Sequence, residues 1–160
     1  MLQNKSRLLS VLLCLAPLAT SPASAQQASE LADSLSPSIL FLTSGGFWEK
    51  ATEGSESETQ RGYYRLVAIR GEDNRSMLRL QEIALTSDGP ELANSKGIDE
   101  INSLGGYITD IRPEDSTGSA SQQGFGAYIY LKSDPSVVEP ETWVIYIDEF
   151  GEMIVERSSN

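Results

Sequence analysis

From Phe125 to Leu131 every second residue is apolar: Phe125, Ala127, Ile129 and Leu131 fall on one side of an extended chain, and Gly126, Tyr128, Tyr130 and Lys132 on the other. A period of two belongs to a strand with one buried face, because successive side chains leave a strand on opposite sides. Trp143 to Asp148 repeats the pattern, with Trp143, Ile145 and Ile147 against Val144, Tyr146 and Asp148. Asp148-Glu149-Phe150-Gly151 then sets glycine at the last position of a turn, which predicts a type I turn with a glycine bulge closing a hairpin to Glu152–Arg157.

The same logic extends upstream. Gly62–Arg70 (GYYRLVAIR) is rich in aromatic and β-branched residues, and Arg75–Thr86 (RSMLRLQEIALT) follows the turn formers Gly71-Glu72-Asp73-Asn74. Leu, Met, Gln and Glu favour a helix over the second segment, but the four-residue link suits a hairpin, and strands are expected. Ser38–Thr43 reads as a buried strand that ends at Ser44-Gly45-Gly46, and Tyr107–Arg112 as another. Leu31 and Leu35 place a short helix over 26–35, stopped at Ser36-Pro37. Ser87-Asp88-Gly89-Pro90 breaks the pattern, and Ile98, Ile101 and Leu104 suggest a second short helix over Ser95–Leu104, ended by Gly105.

The expected fold is α+β, mainly β: a single antiparallel sheet of about six strands, a meander able to curve strongly, with one or two short helices. A small β-barrel or a sandwich is the alternative. Residues 26–160 are expected to form one β-rich domain, in which 26–37 is a short helix or tail and 49–61 and 113–123 are mobile loops.

The N-terminus points to export. Lys5 and Arg7 precede the apolar run Leu8–Leu18, and Ala23-Ser24-Ala25 gives a small-residue cleavage site, so 1–25 reads as a signal peptide cut after Ala25. The run is shorter than the roughly 20 residues that cross a bilayer, and no membrane span is expected in the mature form. Cys14, the only cysteine, lies in the leader, so the mature chain would be held by its core alone. A Gram-negative periplasm is the expected destination.

Charge and residue types restrict the chemistry. The formal charge of −11 becomes −13 once Lys5 and Arg7 leave with the leader, which carries no acid. Nucleic acid is therefore not an expected partner, whereas a protein or glycan partner in the envelope is, with basic proteins favoured electrostatically. The absence of histidine and the loss of cysteine remove Ser-His-Asp triads, Cys-His pairs and His-bearing zinc sites. No phosphate-loop or dinucleotide fingerprint occurs, so no cofactor is expected. Asp148, Glu149 and Glu152, like Glu72, Asp73 and Asn74, lack the spacing of a calcium loop and read as turn residues, so no metal is expected either.

No catalytic residue is assigned. Paired carboxylates could cleave a glycosidic bond, but nothing singles out a pair among 23 acids. The sharpest constellation is aromatic: Tyr128, Tyr130 and Tyr146 occupy the faces opposite the core, and Trp48 follows Gly45-Gly46. These four are the candidate ligand-binding residues, since rings with polar tips stack on sugars or peptides. The alternative is that the tyrosines are cross-strand pairs that stabilise a sheet without a ligand. The expectation is an exported, non-catalytic binding or envelope-associated domain, with a small carboxylate-dependent glycan hydrolase as the alternative.

Overall fold

A computed structural model describes residues 23–51, 59–114 and 123–158 of the chain. Residues 1–22 of the leader expected at 1–25, the acidic stretch 52–58 with Glu53, Glu56 and Glu58, and most of the polar segment 113–123 fall outside the described residues. The chain divides into two compact units, Met1–Leu35 and Ser36–Asn160. In the first, helix α1 spans Ala23–Asp33. It closes on itself through Ser34 N donating to Glu30 O at 3.0 Å and Ser34 Oγ donating to Leu31 O at 2.7 Å. Among the described residues no helix is long and apolar enough to cross a membrane.

Among the described residues the second unit contains eight strands in strictly sequential order, in two four-stranded antiparallel sheets rather than the single sheet of about six strands expected. The first sheet is β1 (Ile39–Ala51), β2 (Thr59–Arg70), β3 (Ser76–Thr86) and β4 (Gly89–Gly97). A short helix α2 (Asp99–Asn102) leads to the second sheet, β5 (Tyr107–Pro113), β6 (Phe125–Lys132), β7 (Glu141–Ile147) and β8 (Met153–Arg157). One apolar core joins them, with Leu66, Leu78, Ile98 and Ile101 meeting Ile108, Ile129, Leu131, Ile145 and Ile147.

Three segments differ from the sequence reading, each for a local reason. β1 does not stop at Gly45-Gly46. The pairing with β2 slips between Gly45 and Trp48, Gly46 takes φ +59°, and the strand bends and continues to Ala51. A bulge of this kind turns a strand without ending it. β2 likewise begins at Thr59, so both flanks of the expected 49–61 loop are strand. Finally, GPELANSKG forms β4, where a break and then a helix were expected. It is an edge strand, almost wholly exposed, carrying Pro90 and Lys96, residues suited to an edge that must not pair further. The helix shrinks to Asp99–Asn102 because Ser95–Gly97 is taken up pairing with β3.

The hairpin turns explain the register. At the β7–β8 turn, Gly151 has φ +82° and donates to Asp148 O at 3.1 Å, while Asp148 Oδ1 accepts from the amides of Phe150 and Glu152 at 2.9 and 2.8 Å. Two seams tie the sheets together. Phe47 and Gly124 exchange backbone hydrogen bonds at 3.2 and 2.9 Å. At the other, the amide of Ser76 donates to Gly106 O at 2.9 Å while its buried hydroxyl accepts from Ile108 N at 3.0 Å.

Candidate functional sites

β6 alternates as its sequence dictates, with Phe125, Ala127, Ile129 and Leu131 buried and the intervening residues half-buried. This leaves Tyr128 and Tyr130 on the outer face of the second sheet. The register sets Tyr128 against Val144, Tyr130 against Thr142, Tyr146 against Gly126, and Tyr146 against Ile154 on β8. Tyr128 and Tyr146 are thus diagonal neighbours rather than a directly opposed pair. Tyr146 and Ile154 remain 48% and 56% exposed. The Arg112 guanidinium lies 5.0 Å from the Tyr130 ring centre while Nε holds Asp110 at 2.7 Å. Glu114 covers Gly126, the residue opposite Tyr146, and Glu156 stands opposite Val144.

Trp48, the fourth candidate, is elsewhere. Its ring is 3% exposed in the core, lies over Gly62, and donates from Nε1 to Tyr63 O at 3.2 Å. The ring is filled by packing and is not offered to a ligand. Beside it, Lys50 Nζ lies 5.2 Å from the ring centre and 2.7 Å from Glu82 Oε2. The nearby Tyr64 hydroxyl is pushed up to about 12, first by burial and then by the charges of Glu82 and Asp148.

A second site was not legible in the sequence. At the seam around Ser76, a groove of about 750 Å³ opens between the ends of β2, β5 and β6. Its walls hold Arg70, Arg75 and Lys132, three cations brought by the tertiary fold from separate elements of the chain, with Asp73 as the one carboxylate among the lining residues. Arg70 is braced on two sides: its Nη1 donates to Asn74 Oδ1 at 3.2 Å and its guanidinium lies 5.8 Å from the Tyr107 ring centre. Arg75 lies over Gly105, where a Cβ would be only 3.6 Å from its Cζ. Gly105 itself has φ +62°, a conformation glycine takes without strain.

A second groove of about 510 Å³, beside β7, contains Glu139, Glu141 and Arg157 but no aromatic ring. Among the described residues, no group of three or more acidic, His or Cys side chains is placed to hold a metal. No family model, curated protein or solved structure matches this chain.

Proposed function

We propose that this chain is an exported, non-catalytic binding domain that docks a basic protein partner on the outer face of its second sheet. The observation that carries the reading is the contiguous outer patch of Tyr128, Tyr130, Val144, Tyr146 and Ile154, with Tyr146 and Ile154 about half exposed. Aromatic rings with hydroxyl tips are suited to such a surface, since one end packs and the other stays wet. Glu114 and Glu156 border the patch, and the whole chain carries a formal charge of −11, so the complementary partner surface is cationic. The envelope location rests on the leader alone.

The hydrolase reading gains no support from either groove. A carboxylate glycosidase needs two carboxyls across a cleft that also holds the sugar. The groove beside Tyr107 offers one carboxylate, and that beside β7 offers no ring.

The test compares the wild type with a Tyr146→Ala, Ile154→Ser double variant, both immobilised and exposed to envelope extract. Both substituted side chains are exposed, so the variant is expected to fold, which circular dichroism checks. A basic protein retained by the wild type, released by salt and absent from the variant supports the reading. Identical retention on both proteins, or a variant that loses only thermal stability, means the face serves the sheet and not a partner.

A further inference from the structure

The acidic balance of this chain makes the basic hollow at the Ser76 seam informative. With 23 acids against 12 Lys and Arg residues, most cations could find a carboxylate. The ion pairs among the described residues are Lys50–Glu82, Arg112–Asp110 and Arg157–Glu141. None involves Arg70, Arg75 or Lys132, the three cations that line the groove at the Ser76 seam. Asp73 shares that groove yet makes no ion pair with any of them.

Unpaired cations collected in a concavity raise the local concentration of anions, and do so against the sign of the surrounding field. Three positive side chains against one carboxylate leave two charges in excess, which matches a dianion better than a monoanion. Arginine adds geometry, because its planar fork donates two parallel hydrogen bonds to an oxyanion. Arg70 is already held by Asn74 and Tyr107, so less rotamer freedom is lost when it binds. Thr109 and Ser133 line the same walls, their hydroxyls donating to Tyr130 O at 3.2 Å and to Glu141 Oε1 at 3.3 Å. A hollow of about 750 Å³ is within the range of small-molecule sites and takes more than a bare ion.

We infer that this groove binds a soluble phosphomonoester, its phosphoryl dianion held by Arg70, Arg75 and Lys132 and its organic body lying against Tyr107. An anionic bilayer bearing the same phosphates would repel so acidic a chain, so the ligand is a free small molecule. The inference does not depend on the outer-face reading, and the residues tested are different.

The experiment is calorimetric titration of the full chain with inorganic phosphate, glycerol phosphate and acetate at fixed ionic strength. Glycerol phosphate is expected to bind at least about tenfold more tightly than acetate, and Arg75→Gln or Lys132→Gln to weaken it by about tenfold or more, as loss of one charge-assisted contact implies. Inorganic phosphate is expected to bind more weakly than glycerol phosphate, since it makes no contact with Tyr107. Arg75 is exposed and Lys132 half-buried, so both variants are expected to fold. Arg79→Gln, outside the groove, controls for the general loss of a positive charge. Absence of phosphate binding, equal affinity for acetate, or binding unchanged in the groove variants would overturn the assignment.

Discussion

At the scale of single residues, Tyr64 shows how the core sets a titration. The ring is buried against Phe125, centroids 6.1 Å apart, and its hydroxyl shares a neighbourhood with Glu82 and Asp148. Burial and the two carboxylates disfavour the phenolate, raising the pKa to about 12 from an ordinary 10. Because the folded value is the higher one, the neutral phenol's contribution is complete below pH 10 and is lost as pH rises toward 12. Denaturant unfolding of wild type and Tyr64→Phe should therefore run in parallel up to about pH 10. From about pH 10 to about pH 12 the wild type should lose stability relative to the variant. A constant difference across the alkaline range would contradict the assignment. Trp48 carries the same lesson about packing. Its position close after Gly45-Gly46 made it a candidate ligand-binding residue, but Gly62 across the strand pair leaves a hollow that the indole fills, and only the β1–β2 register shows it.

At the scale of elements, α2 matters for what its last residue does to a strand. β4 pairs with β3 only as far as Gly97 opposite Arg79, so Leu78 would lose its partner there. Ile98 N and the Asn102 side chain take over. Asn102 Oδ1 accepts from Leu78 N at 2.7 Å, and Nδ2 donates to Leu78 O at 3.1 Å. A side-chain amide thus replaces a residue of strand. Asn102→Ala should cost about 1–3 kcal/mol by leaving buried backbone groups short of partners. Hydrogen exchange at the Leu78 amide should accelerate before that of its neighbours. Unchanged exchange at Leu78 would show that water substitutes for the amide. The alternating strands β6 and β7 were legible because each has one buried face, and the pattern follows from that. β4 was not, because an edge strand exposed on both faces carries no alternation to read.

At the scale of the whole molecule, Ser76 joins the two sheets beside the basic groove. It is 5% exposed, and its hydroxyl is the acceptor for Ile108 N while its own amide reaches Gly106. Ser76→Ala should destabilise the second unit by about 1–3 kcal/mol, measured by denaturant unfolding, because Ile108 N would lose its acceptor in a buried place. Ser76→Thr, which keeps the oxygen, should recover part of the loss. A neutral Ser76→Ala would mean that the seam relaxes without cost. The sequence by itself determined that the chain is β-rich and antiparallel, where its clearest strands and final turn lie, and that histidine chemistry is absent. Those properties are local or compositional, set by a period of two, by turn residues and by residue inventory. The tertiary structure alone decided that eight strands part into two sheets, that Trp48 lies in the core, and that Arg70, Arg75 and Lys132 meet in one hollow. Each depends on which distant segments come together. That is settled by burying a shared apolar core across the sheets, for which no short window of sequence contains both partners.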